Sequence, residues 1–239
     1  IEGSALNRYE KINIDLEEEG GKPYSNGFSG RVNFERAGFT VKGEYVDAGD
    51  KYYDFIRDGK LYSKKRGNAQ LLEMGYSGNG LGINFTGRRM EWMDNKILTG
   101  NGSTANLLNY VPAMCTQYTY MLTTLHPYTP QIGAIHNSIS GEMGGQLDVF
   151  YNFKRGTAIG GKRGLKLHAN FSTYYSLEEG GTIQTGNLLY RDFSIDIEKQ
   201  WTKAFKMNLL YSMQEYNHSY GNDQGTWLSN IFVVDMQYK

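Results

Sequence analysis

Cysteine, proline, long apolar runs and an excess of charge are all scarce in this sequence, and each scarcity removes a class of protein. A single cysteine, Cys115, admits no intramolecular disulfide, so no disulfide framework holds the fold, and the thiol reads as a small buried or loop residue rather than a nucleophile. Four prolines rule out a Pro-rich linker, and with no triplet repeat the glycines do not make a collagen. No run of about 18 apolar residues occurs, which excludes an ordinary transmembrane helix but not membrane strands, for which about 9–11 residues of alternating character suffice. Lys and Arg number 25 against 25 Asp and Glu, a net charge of +0, so no global field attracts nucleic acid and no nucleic-acid partner is expected. Glycine and tyrosine are abundant instead, at 30 and 19 of 239 residues, with a mean hydropathy of -0.55. Amphipathic strands joined by Gly-rich turns produce that combination, and all-β folds of more than about 200 residues commonly form one unit. A single domain spanning 1–239 is expected.

Read two residues at a time, the chain repeats one pattern. Phe28, Gly30, Val32 and Phe34 alternate with Ser29, Arg31, Asn33 and Glu35, an arrangement that separates apolar from polar side chains only in a strand. After Ala37-Gly38 the return strand carries Phe39, Val41, Gly43 and Tyr45 on one face and Thr40, Lys42 and Glu44 on the other. Leu72, Met74 and Tyr76 lead through Asn79-Gly80, a hairpin signal, to Leu81, Ile83 and Phe85. The pattern returns at 142–154, 165–175, 189–200, 205–216 and 232–238, and a first strand near 8–17 would place Ile12, Ile14 and Leu16 on its apolar face.

Connections alternate in length. Short links fall near 36–38, 78–80, 112–117, 155–164 and 201–204, and longer ones near 48–66, 92–102, 127–141, 176–188 and 217–226. Keeping that parity requires two more strands, at about 103–111 and 118–126. Segments of 12–13 residues exceed the roughly 5–6-residue mean of globular strands and suit a tilted membrane crossing. Together these features predict an antiparallel up-and-down transmembrane β-barrel of about a dozen or more strands, with short periplasmic turns and longer extracellular loops, in the bacterial outer membrane. A girdle at the lipid–water boundary is expected from Tyr45, Trp92, Tyr175, Trp201, Tyr211, Tyr216 and Trp227. A soluble sandwich is the competing reading of the same alternation.

The run from Gly141 to Lys162, GEMGGQLDVFYNFKRGTAIGGK, resembles the signature of a Bacteroidota family known only as a domain of unknown function, number six-zero-two-nine. Asn109-Tyr110-Val111-Pro112-Ala113 and Arg88-Arg89-Met90-Glu91-Trp92-Met93-Asp94 are similar to other parts of it. The resemblance implies an outer-membrane β-barrel, longer than this chain, and brings no activity or catalytic residues with it. The opening Ile1-Glu2-Gly3 and the final Lys239, where such barrels end on an aromatic residue, read as the ends of a fragment incomplete at one or both termini.

Motifs that suggest chemistry each have a plainer reading. Gly156-Thr157-Ala158-Ile159-Gly160-Gly161-Lys162 matches a phosphate-binding loop, but Arg163 stands where a Ser or Thr would hold magnesium, and an alternating strand follows where a helix is needed. His168, Asn170 and Ser172 contain the residue types of a barrel lipase, although spacing by two only places them on one strand face. Asp47, Asp50, Asp54 and Asp58 lack EF-hand spacing and read as a solvated acidic loop. No cofactor, metal or enzymatic activity is expected.

The polar faces carry the remaining weight. Arg31, Glu35, Lys42, Glu44, Glu73, Arg88, Asp148, Lys166, His168, Asp196, Glu198 and Lys206 point into the lumen if the apolar faces meet lipid, since Arg or Lys on a lipid face costs about 2–4 kcal/mol near the midplane. Mixed signs suit either ion pairs that cross-link a filled interior or a hydrated pore of little charge selectivity. The leading expectation is a porin-like pore for small polar solutes. The alternative is a structural or accessory barrel without an open channel, whose partners are lipid and other outer-membrane or surface-exposed proteins.

Overall fold

In the computed structural model the described residues are 1–12, 14–57, 60–93, 97–99, 141–177, 188–217 and 226–239. They form one antiparallel sheet. Its strands are β1 (Glu2–Tyr9), β2 (Tyr24–Arg36), β3 (Phe39–Arg57), β4 (Lys60–Gly78), β5 (Leu81–Glu91), the two-residue β6 (Leu98–Thr99), β7 (Gly141–Phe153), β8 (Leu165–Leu177), β9 (Leu188–Gln200), β10 (Phe205–Asn217) and β11 (Thr226–Tyr238). Ten of them lie side by side in chain order, β1-β2-β3-β4-β5-β7-β8-β9-β10-β11, and β6 attaches in parallel to the outer edge of β3. The fold is therefore all-β and up-and-down, with one short helix among the described residues. Among the described residues β1 and β11 are its two edges, and the sheet is open between them.

The hairpin turns follow from local chemistry. Ala37-Gly38 and Asn79-Gly80 all have positive φ, 51° and 83° in the first pair and 52° and 84° in the second, the left-handed conformation that two-residue turns between twisted strands require. At Gly38 a side chain would also place its Cβ 2.5 Å from the Ser77 carbonyl oxygen. Gly38→Ala is accordingly expected to destabilise the protein by about 1–3 kcal/mol, read as a lower urea midpoint of unfolding.

Two expectations are corrected here. The first strand does not lie at 8–17: β1 ends at Tyr9, and Ile14–Glu18 form a helix, α1. Asp15, Glu17, Glu18 and Glu19 make poor strand material, and only Leu16 of the supposed apolar face is buried, against Tyr52 and Ile97, while Ile14 lies exposed. The segment 48–66 is not a loop either, because β3 and β4 continue pairing within it as far as Arg57 and Lys60. Polar and aromatic residues there pair along the ladder as Asp50–Arg66 and Tyr52–Lys64, so the change in composition marks the end of the apolar face, not of the strands. The strands expected at 103–111 and 118–126, the short link at 112–117 and Cys115 lie outside the described residues.

Register decides what shares a face. Following the pairs across the sheet joins Phe34, Val41, Met74, Phe85, Leu147, Phe171, Phe193 and Met213 in one row. That face is apolar and exposed: Phe28, Val32, Phe39, Leu72, Phe171 and Val234 all stand open, Phe232 at 73 %. The opposite face is polar, and over β5 and β7–β10 it buries Arg88, Glu142, Asn170, Ser172, Asp192, Ser194, Ser212 and Gln214. Burial is thus inverted relative to a water-soluble domain, where large apolar side chains go inside.

The sheet curls toward its polar face. Leu71 on β4 packs against Tyr174, Leu189 and Tyr190 of β8 and β9, with β5 and β7 in between. In a flat sheet β4 and β8 would lie about 14 Å apart, beyond the reach of side chains that stand parallel to one another.

Candidate functional site

The twelve residues expected to line a lumen lie on one face of the open sheet. Register places Arg31, Glu35, Lys42, Glu44, Glu73, Arg88, Asp148, Lys166, His168, Asp196, Glu198 and Lys206 on the polar, concave side. Most are joined to each other across neighbouring strands. Arg31 grips Glu44 through both its Nε and its Nη2, at 3.1–3.2 Å, and reaches Glu2 at 3.4 Å. Lys42 pairs with Glu73 at 3.4 Å, and Glu198 accepts from Lys166 at 2.9 Å and from Lys206 at 2.8 Å. The signs alternate around the curve, so the face is cross-linked and carries no ring of one charge.

Two levels differ in depth. Near the ends of the strands away from the short turns, Arg88 of β5 and Glu142 of β7 form an ion pair and hydrogen bond with both side chains buried. The guanidinium lies over the Tyr174 ring, 5.1 Å from its centre. Beside them Tyr190 donates to Asp192 at 3.1 Å, Ser212 donates to the other carboxylate oxygen at 3.4 Å, and Tyr174, Asp192 and Ser212 are fully buried. Pairing and hydrogen bonding offset the cost of removing these charges from water. A hollow of about 340 Å³, lined by Leu6, Arg8, Ser25, Arg31 and Lys51 among others, remains on the β1–β3 side, so the tight packing belongs to β5 and β7–β10.

Nearer the short turns the face is more open. Asp148 accepts from Asn170 at 2.8 Å and contacts His168 Nε2 at 3.1 Å, and Ser172 donates to Asn170 at 3.1 Å. The lipase-like trio is therefore not assembled as a relay, since Ser172 is buried on Asn170 while His168 turns to Asp148. His168 stacks flat on Phe150, with ring centres 4.2 Å apart and planes 2° from parallel.

The other motifs have structural roles. The 154–164 turn leads into β8, as a hairpin does, and its carbonyls at Ile159 and Gly160 accept from Lys199 Nζ at 3.2 and 2.7 Å. A phosphate-binding loop presents N–H groups to its ligand, whereas this one presents oxygens to a cation. Asp47 is held by Arg66 at 2.7–3.2 Å and Asp50 by Lys64 at 2.8 Å, so these acids close the outer part of the β3–β4 hairpin. The hydrogen bond to Asp50 raises the Lys64 ammonium above its ordinary pKa. Asp58 lies outside the described residues.

The expected girdle needs revision. Tyr45 is exposed on the apolar face and Tyr175 shares that face, its hydroxyl accepting from Arg191 at 3.1 Å, while Trp201 stands exposed in the turn before β10. Tyr211 is on the apolar face but at the middle of β10, where its hydroxyl donates to Asn230 at 2.9 Å. Trp92 is buried just past β5, beneath Lys65, and Tyr216 and Trp227 pair on the polar face, Tyr216 packing toward Tyr174. Proximity to a strand end does not reveal which face a side chain takes once a strand runs past its expected end.

Over residues 1–239 the sequence matches a family of unknown function, DUF6029. The chain belongs to that family. No curated protein matches it.

Several members of the polar network escape sequence reading. Glu142 meets Arg88 from 54 residues away, Asp192 meets Ser212 from 20 and Tyr174 stands opposite Tyr190, 16 residues on, so only register reveals them. Phe150 left a signal, a large apolar residue on the polar side of an otherwise regular alternation.

Proposed function

We propose that this DUF6029 chain forms the wall of a bacterial outer-membrane β-barrel whose interior is closed by its own polar side chains, and that it works as a structural or accessory barrel. One observation carries the membrane reading: the exposed face is apolar and the buried face is polar. Four or five apolar positions follow one another along most strands, about 7 Å apart, which at the usual strand tilt of about 35–45° makes a band of roughly 15–23 Å, close to the height of about 25 Å of a membrane barrel's apolar belt. Lipid is the partner that such a surface requires. The closed reading is supported by the buried Arg88–Glu142 pair with Tyr174, Tyr190 and Asp192 beside it, a layer with the packing of a core and not of a water-filled bore.

The partly exposed Lys166, Glu198 and Lys206 near the short turns favour a second reading, a pore for small polar solutes entered from that end. Planar-bilayer recording decides between the two, once heat-modifiable gel mobility has established a folded barrel. Silence is expected from the native protein, and stable steps in conductance from the Tyr174→Ala, Tyr190→Ala double variant. Stable steps from the native protein would overturn the closed reading and establish the pore.

A further inference from the structure

We propose that the polar face near the short turns holds a binding slot for a neutral saccharide ring, with Phe150 as its stacking platform. Phe150 is an unusual occupant of this face. It is 46 % exposed, stands between Asp148 and Asn152 on its strand face, and has one side of its ring taken by His168. His168 cannot swing away freely, because Asp148 holds its Nε2 at 3.1 Å and Asn170 in turn fixes Asp148. The opposite side of the Phe150 ring is turned toward β5, where its register partner is Gly82. A Cβ at Gly82 would touch only the Phe150 side chain, at 3.7 and 3.9 Å, so the missing side chain leaves a gap one strand wide between the ring and β4.

The chemistry around that gap selects the ligand. Ser77 lies across Gly82 on β4, Asn84 follows on β5, and Thr40 reaches over Gly75 in the next row, which lines the gap with hydroxyls and an amide. Of the charged neighbours, Lys166 and Lys206 are paired with Glu198 and Lys42 with Glu73, Asp148 is hydrogen-bonded to His168 and Asn170, and Asp196 lies one strand beyond His168, away from the gap. A held aromatic ring beside neutral donors and acceptors fits a ring with an apolar C–H face and a rim of hydroxyls, which describes a pyranose. A charged ligand would find no counter-ion among the groups that line the gap, and a purely aromatic one would leave the hydroxyls and amide unused.

The test is titration of the folded, detergent-solubilised chain with maltose, cellobiose and N-acetylglucosamine, followed by saturation-transfer NMR and calorimetry. At least one sugar is expected to bind saturably, with the strongest transfer at the C–H protons of one ring face. Phe150→Ala should weaken binding about tenfold, while Phe150→Tyr retains it. Gly82→Leu fills the gap against the Phe150 side chain while leaving Phe150 itself in place and should abolish binding, and heat-modifiable mobility shows that each variant is folded. Absence of saturable binding to any of the three sugars, or affinity unchanged in both Phe150→Ala and Gly82→Leu, would overturn the proposal. Binding of indole with no binding of sugars would likewise overturn it. Conductance plays no part in this readout, so a pore and a closed barrel are both compatible with either result.

Discussion

Glu142→Ala is expected to destabilise the folded protein by about 3–5 kcal/mol, among the largest effects of any single substitution in the sheet. The change leaves the Arg88 guanidinium buried against the Tyr174 ring with its carboxylate partner gone, and a buried charge without its counter-ion costs far more than the intact pair contributes. Arg88→Met with Glu142→Met removes both charges and keeps the volume, so it should lie within about 1 kcal/mol of the native protein or above it. Urea titration of refolding into detergent micelles, scored by gel mobility, measures both. Equal losses in the single and double variants would mean that volume, not charge, matters at this position.

Met74→Arg supplies the second large effect and tests the inverted burial. Met74 stands 42 % exposed in the middle of the apolar face, in the row that runs from Phe34 to Met213. Arginine there costs about 2–4 kcal/mol if the face meets hydrocarbon, and the variant should assemble poorly into lipid vesicles. Were the same face in water, a substitution at so open a site would change stability by no more than about 0.5 kcal/mol and would improve solubility. A stable, freely soluble Met74→Arg variant would therefore sink the membrane reading. Charge reversal on the other face, as in Lys42→Glu, should cost much less, since its pair with Glu73 is solvent-exposed.

Strand alternation was legible because it needs no partner. Phe39, Val41, Tyr45 and Thr40, Lys42, Glu44 separate onto two faces by backbone geometry alone, and the Asn79-Gly80 turn follows from the conformations those two residues tolerate. That the twelve polar residues share one face was legible for the same reason, since parity along each strand and pairing between strands agree. Residues 8–17 misled because Ile12, Ile14 and Leu16 also recur with period two while the acidic run beside them forms α1, where Leu16 is buried by Tyr52 and Ile97. The 48–66 segment misled because strand length was judged from apolar content, and backbone pairing continues where the apolar face stops.

What the sequence by itself determined is an antiparallel, up-and-down sheet with one apolar and one polar side, because alternation and turn chemistry act over a few neighbouring residues. Only the tertiary structure decided which polar side chains are buried together. The curl that brings Leu71 to Tyr174 and Tyr190 and the register that sets Arg88 against Glu142 and Phe150 between Gly82 and His168 depend on how strands far apart in the chain are aligned. A shift of two residues between neighbouring strands would preserve both faces and every alternation yet exchange all of these partners, so no periodicity along one strand can specify them.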